Sequence, residues 1–420
     1  MKFGKVGQIT LVSAIALTVA TLFTACNRTL TVGFMYVATN KQTPGQIEVY
    51  EVNSESGALR TIPTSPFPSG GRNPIAEVPS PDSKNLYVAN EDDNNVVQFG
   101  IGNDGKLYAQ STVNTPGAFP LAITLNSANS FLYGVDTLQP IAGCTLTNAC
   151  PGDVFVCPIN TDGSLGTPVN NTSQCLNYYP LQLKASDTTT ILTPTAVNIT
   201  ADGKYLYVSA YNPATSKGYL FAFAANTDGT LTSLNGDAPF LLESQPAGQS
   251  SPAVLKQPVA LASDANGQFL YVADKLTNQV ATYTLTAGAP SSTTPAAVAT
   301  TNITAATGNQ PSSLTLAGTD FLYVTNSLDS TVSAYSTSSG SLTNIGTYAS
   351  DTNPIAIAGD PRKLGFLYTV NFLGNTLSGY QINSTTGTLV NTKNTPYLST
   401  VQPTAIAGIP HGGTATAAAK

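Results

Sequence analysis

Seven times along the chain a short apolar run built around a key tyrosine breaks into polar sequence. The runs are Phe34-Met35-Tyr36-Val37, Leu86-Tyr87-Val88, Phe131-Leu132-Tyr133, Tyr205-Leu206-Tyr207-Val208, Phe269-Leu270-Tyr271-Val272, Phe321-Leu322-Tyr323-Val324 and Phe366-Leu367-Tyr368. Each is apolar, aromatic-rich and too short for a helix, as a buried strand should be. A proline opens a small apolar stretch 12 to 14 residues before the tyrosine in six repeats, at Pro74, Pro120, Pro194, Pro258, Pro311 and Pro354. Proline lacks a ladder donor and belongs at the first position of a strand. Polar turns such as Pro81-Asp82-Ser83-Lys84 and Asp202-Gly203-Lys204 then link the two runs as a hairpin.

A third anchor lies downstream: an aliphatic residue with an aromatic three positions on, as Ile47/Tyr50, Val96/Phe99, Leu220/Phe223, Val280/Tyr283, Val332/Tyr335 and Leu377/Tyr380. Cys157 takes the aromatic place after Val154 in the third repeat. A turn glycine follows at Gly57, Gly105, Gly163, Gly229, Gly340 and Gly387, several of them in Asp-Gly, a strong hairpin signal. The fifth repeat shows no clear counterpart. Each repeat thus reads strand–turn–strand–loop–strand–turn–strand, the unit of a propeller blade. The first repeat lacks a first strand, whereas Pro403-Thr404-Ala405-Ile406-Ala407 is a first strand with no successor. Pairing the two completes an all-β, seven-bladed propeller of four-stranded antiparallel blades, closed by the C-terminal strand. Blades of about 56 residues exceed common propeller repeats, so the surplus is loop.

Composition agrees with strands rather than helices, with 35 Gly, 28 Pro and only 10% charged residues. A net charge of −6 with scattered Lys and Arg argues against nucleic acid, which demands clustered cations. At the N-terminus Lys2 and Lys5 precede an apolar run from Ile9 to Phe23, which matches a secretory signal and is short for a membrane span. It ends in Leu22-Phe23-Thr24-Ala25-Cys26. This segment resembles a bacterial lipobox, which implies cleavage after residue 25, acylation of Cys26, membrane anchoring in the cell envelope and a short tether over 26–33. Cys144, Cys150, Cys157 and Cys175 cluster within one insertion around 137–193, which suits two disulfides in an exported chain. Three connectivities are open; Cys144–Cys150 with Cys157–Cys175 is the expectation.

The repeats resemble those of the YVTN and lactonase-type seven-bladed propellers, the group that includes 6-phosphogluconolactonase-like proteins, over about residues 34–409. Enzymatic members carry a Pro-His-Ala type motif at the start of inner strands, with Arg and Glu nearby. The corresponding triplets here are Pro74-Ile75-Ala76, Pro120-Leu121-Ala122, Pro194-Thr195-Ala196, Pro258-Val259-Ala260 and Pro354-Ile355-Ala356. General-base chemistry near pH 7 favours histidine, and the single histidine, His411, lies in the Gly-, Ala- and Thr-rich tail of 410–420. Four arginines, Arg28, Arg60, Arg72 and Arg362, are few for gripping a phosphorylated sugar. The resemblance with these departures implies a non-catalytic, monomeric propeller that binds a saccharide, a small lactone or an envelope protein. The alternative is a lactone hydrolase working through carboxylates.

Antiparallel geometry brings the starts of first strands and the ends of second strands to one mouth of the central channel. Candidate ligand-binding residues are therefore Arg72, Asn73, Gln257, Gln310, Asn353 and Gln402 beside the prolines. Asn90, Asp136, Asp274, Asn326 and Asn371 join them at the strand ends. Their plainer role is to cap turns through their own backbone. Glu91-Asp92-Asp93 is a weak Ca²⁺ candidate through oxygen ligands, without EF-hand spacing; no other cofactor is expected.

Overall fold

The structure, a computed structural model, describes residues 31–411 apart from 41–42, 172–175, 185–186, 188, 237, 245–252, 287–288, 291–303 and 361–364. Seven antiparallel sheets stand in a ring, and the inner strands of consecutive sheets touch all the way round. Blade 2 shows the plan: Pro74–Pro79 innermost, then Asn85–Asn90, Asn95–Ile101 and Leu107–Asn114 outermost. In blades 1, 4, 5 and 7 the outer strand is split into two short pieces along the third strand. A small ribbon, Glu243–Ser244 with Ala253–Val254, stands outside this plan.

The ends of the chain share blade 1. Pro403–Pro410 lies innermost against Thr31–Thr39, with Ala407 opposite Tyr36 and Ala405 opposite Ala38. The first strand starts at Thr31 rather than Phe34, and the last runs to Pro410. Behind it the ring of His411 packs edge-on to Phe34 at 5.4 Å, and the His411 backbone N–H donates to Val32 O.

The anchors of the repeat meet one another across blade seams. The Tyr36 hydroxyl in blade 1 donates to Gly105 O in blade 2 at 3.1 Å, and Tyr87 in blade 2 to Gly163 O in blade 3 at 2.7 Å. Tyr323 reaches Gly387 O at 2.8 Å, and Tyr368 in blade 7 reaches Gly57 O in blade 1 at 2.7 Å. The same glycines have φ near +60 to +90°, where a side chain is strained. At Gly57, Gly105, Gly229, Gly340 and Gly387 an added Cβ would strike the phenylalanine that opens the preceding blade's motif. Phenylalanine covers the glycine and tyrosine bolts its carbonyl.

Third-strand tyrosines hold the opposite seam. Tyr335, Tyr380, Tyr283 and Tyr50 donate to Ala306, Ala349, Glu243 and Leu398 carbonyls in the outer region of the preceding blade. Such a bond contributes about 1 kcal/mol net, because folding trades it against water.

One expected disulfide is present, Cys144–Cys150. The other is corrected: Cys157 is a free thiol, only 2% exposed. It fills the aromatic position of its strand and packs with Tyr87, Leu132 and Phe155 between blades 2 and 3, as a small apolar group does. Burial pushes its thiol up to about 12. Cys175 and Cys26, like the expected signal segment 1–25 and residues 412–420, lie outside the described residues.

Candidate functional site at the channel mouth

The two sets of candidate residues do converge. Pro74 pairs with Asn90, Pro120 with Asp136, Pro258 with Asp274, Pro311 with Asn326 and Pro354 with Asn371, all at the same end of their blades. Around this mouth five residues that precede the strand-opening prolines adopt left-handed backbone: Asn73, Phe119, Gln310, Asn353 and Gln402. That conformation costs a non-glycine residue roughly 1–2 kcal/mol. The neighbouring blade compensates. Phe119 N–H donates to Asn94 Oδ1 (2.8 Å), Gln310 N–H to Asn278 Oδ1 (2.9 Å), Asn353 N–H to Ser330 Oγ (3.3 Å) and Gln402 N–H to Asn375 Oδ1 (2.8 Å). Each clasp links one blade's turn to the next blade's inner strand. The carbonyls of Asn73, Gln257, Gln310, Asn353 and Gln402 accept N–H groups from the residue that follows the second strand of their own blade.

The side chains at the strand ends turn into the wall, since Asn90, Asp136, Asp274, Asn326 and Asn371 are all 0% exposed. Asn326 Nδ2 donates to Thr331 and Ser333, and Asn371 Nδ2 to Thr376 and Ser378. Asn90 meets Ser69 and Asn95. Asp274 accepts from Gln257 N–H at 2.7 Å and from both the N–H and hydroxyl of Thr277. This geometry braces turns and leaves little for a ligand.

The acidic run forms one turn of 3₁₀ helix. Asp93 accepts from the Arg72 backbone N–H and guanidinium at 2.8 and 2.7 Å, and Asn73 donates to Glu91. The guanidinium holds the Asp93 carboxyl below its usual range, whereas burial and Asp92 raise that of Glu91. The weak Ca²⁺ candidate is therefore engaged by Arg72 and Asn73, and Arg72 is itself already paired.

Lower in the channel wall sits Glu77, on the inner strand of blade 2. Burial pushes its carboxyl up to about 8 from an ordinary 4.5. The backbone of Ala38 and Ala407 pulls the other way, yet neither oxygen makes a well-formed hydrogen bond. Asp136 faces Asp153, which opens the third strand of blade 3. Burial raises both carboxyls, and the charge of Asp136 raises Asp153 further. Another buried acid, Glu48, accepts from Tyr50 on its own strand and, across the seam of blades 7 and 1, from the Ser399 hydroxyl and the Thr400 N–H. Sequence reasoning passed over Glu48, Glu77 and Asp153. The available signal was an acid within or beside an apolar strand, where charge is rarely buried unpaired.

The position after each strand-opening proline holds Ile75, Leu121, Thr195, Val259, Ser312, Ile355 or Thr404. Its hydroxyls are tied down: Thr404 to Pro74 O and Ala38 O, Ser312 to Pro354 O and Thr325, Thr195 to Ser209. Two clefts of about 510 and 560 Å³ lie at the far face, between blades 2 and 3 and between blades 6 and 7, away from the mouth.

The profile of the family described as Lactonase, 7-bladed beta-propeller matches residues 33–138 and 258–406. The chain belongs to that lactonase family. Among solved structures, this lactonase-family propeller is similar to a candidate 6-phosphogluconolactonase of Bacteroides fragilis. The two share 20% identity at a TM-score of 0.67, over 91% of this chain and 99% of that one. The periplasmic gluconolactonase of Pseudomonas aeruginosa gives 20% identity and a TM-score of 0.66 over 90% and 99%. At such identity the likeness is one of fold. No curated protein matches the sequence. The family match is interrupted over 139–257, so the disulfide insertion and blade 4 are where this lactonase-family propeller departs from the profile.

Proposed function

We propose that this lactonase-family propeller is a non-catalytic, envelope-anchored protein that binds a protein partner through its mouth face. The observation that carries the reading is an arc of leucines. Leu276, Leu328 and Leu373 occupy the same place in the second-to-third-strand turns of blades 5, 6 and 7, and are 49%, 64% and 60% exposed. The disulfide insertion of blade 3 adds exposed Ile141 and Leu146 on the same side. Large apolar groups gathered on one face signal association, whereas single scattered ones do not. Because the strand-end candidates are spent on the wall and Arg72 and Asn73 on the acidic turn, aliphatic contact favours a protein over a saccharide.

Two further points support the reading. The positions where the family's enzymatic members are expected to carry histidine hold aliphatic residues or hydroxyls tied into the wall, so no free general base stands at the strand starts. In addition, Thr31–Thr39 enters from the face opposite the mouth. With Cys26 anchored, the few residues up to Thr31 reach at most about 17 Å, and the mouth points away from the membrane.

The test has two arms, run on the mature chain. Glucono-δ-lactone and its 6-phosphate should open no faster than in buffer; saturable turnover abolished by Glu77→Gln would replace this reading with a carboxylate hydrolase. A photo-crosslinker at position 328 or 373 should give a discrete adduct in cells, while one at exposed Tyr108 on the far face should not. Equal labelling from both faces, or none, rejects the partner surface. Mass spectrometry of the mature N-terminus checks the anchor: a first residue other than acylated Cys26 removes it.

A further inference from the structure

Asp136 and Asp153 form a buried acidic pair in blade 3. They face each other across the second and third strands of blade 3, and both are 0% exposed. Asp136 Oδ2 accepts the Gly117 N–H at 2.8 Å, but Asp136 Oδ1 and both oxygens of Asp153 have no hydrogen-bond partner. No lysine, arginine or histidine contributes to the electrostatics of either group. Two adjacent buried carboxyls without a counter-charge are strongly unfavourable unless a cation or protons neutralise them.

The surroundings have the form of an oxygen cradle. A Cβ on Gly117 would stand 2.6 Å from Asp153 Oδ2 and 2.7 Å from Asp136 Cβ, and closer still to the Leu138 carbonyl oxygen. The space a side chain would take at residue 117 is thus filled by the Asp153 carboxyl, the Asp136 methylene and a carbonyl oxygen. The Thr115 hydroxyl lies within reach, interacting with both Asp136 and Gly117 O. Above, Gln139 closes the neck of the insertion through its N–H to Pro151 O (3.0 Å) and its Nε2 to Gly152 O (3.1 Å). The Cys144–Cys150 bridge clips the loop beyond.

From this geometry we propose that Asp136 and Asp153 form a closed structural site for one Ca²⁺ ion beneath the disulfide insertion. Two carboxylates supply the charge, and Leu138 O and Thr115 Oγ1 are neutral oxygens available to complete the shell. The set holds only oxygen donors, which suits Ca²⁺, since it accepts carbonyl oxygens and irregular geometry. Mg²⁺ demands a stricter octahedron, and zinc prefers nitrogen and sulfur. The ion would fasten the start of the insertion to blade 3 and shape that part of the mouth face.

The experiment is a Ca²⁺ titration of the EDTA-treated mature protein, read by calorimetry and thermal unfolding. We expect one site per chain and a Tm rise of about 2–4 °C at saturation, the scale of ligand stabilisation in a domain this large. Asp153→Asn and Asp136→Asn should each weaken Ca²⁺ binding at least about tenfold, the 1.4 kcal/mol equivalent of one lost charge-assisted ligand. Asp153→Asn should raise the Tm of the metal-free protein, because an unpaired buried charge is removed, so loss of binding is distinguished from loss of fold. Asp93→Asn, in the exposed acidic turn, should leave binding unchanged. No Ca²⁺ response in the wild type overturns the proposal and assigns the pair to shared protons. Binding retained by both Asn variants, or lost with Asp93→Asn, overturns it equally.

Discussion

The seam between blades 7 and 1 carries the closure of the ring, and Tyr368→Phe tests it with the loss of one oxygen atom. The ring stays buried, since Tyr368 is 0% exposed and Phe preserves its packing with Val370 and Tyr397. What goes is the 2.7 Å bond to Gly57 O. Gly57 is itself buried, and its carbonyl has no other partner among the described residues. A net bond contributes about 1 kcal/mol, and a stranded buried acceptor adds about 1 kcal/mol or more. We expect a loss near 2 kcal/mol in urea unfolding, with an unchanged m-value. Over the roughly 340 described residues that amounts to about 2–3 °C in Tm. Tyr133→Phe is the internal control. Tyr133 holds the same place in blade 3, yet its hydroxyl makes no bond among the described residues, and its removal should stay within about 0.5 kcal/mol. Equal losses for the two variants would refute the account, because ring burial and not the Tyr–Gly bolt would then set the energy.

Two further outcomes follow from the wall and the mouth. Glu77 has a folded pKa of about 8 against an ordinary 4.5, so between these values the folded state holds a proton that the unfolded chain has released. Stability must then fall as pH rises through that window, by up to ~1.4 kcal/mol per unit and on the order of 4 kcal/mol in all. Glu77→Gln should flatten this slope in urea melts at pH 5, 6.5 and 8; parallel curves would show that the carboxyl is not buried. Asn375→Ala removes the clasp on the left-handed Gln402 N–H and should destabilise by about 1 kcal/mol, read as a lower urea midpoint, with Gln402→Gly recovering part of it.

Blade number, strand order and closure were legible because the anchors have local causes. Proline opens a strand, glycine permits a left-handed turn, and aromatics fill seams. The split of the outer strand was not legible: blade 5 has it as Ala289–Pro290 and Thr304–Ala306, and blades 1, 4 and 7 share it although their turn glycines follow the common spacing. What sequence could not reveal is that the conserved-looking spacing of Tyr and Gly belongs to two different blades, since Tyr368 and Gly57 stand 311 residues apart. The mouth residues were found at the right end of the blades, but the direction of their side chains depends on neighbours in the next sheet. Asn371 is a wall brace because Thr376 and Ser378 face it. Cys157 failed as a disulfide partner for the same reason, because its side chain points into a seam already filled by Tyr87 and Phe155.

Blade 1 has a consequence for how the molecule is made. Its centre is supplied by the last strand to be synthesised, Pro403–Pro410, while its remaining strands begin at Thr31. A nascent chain can stack blades 2 to 7 in order, but Thr31–Thr39 keeps an unpaired backbone edge until Pro403–Pro410 has emerged. That edge is open to pairing with another chain. Any ribosomal stall or truncation before residue 403 therefore leaves a sticky, unclosed arc, and only a product that includes Pro403–Pro410 can become a ring.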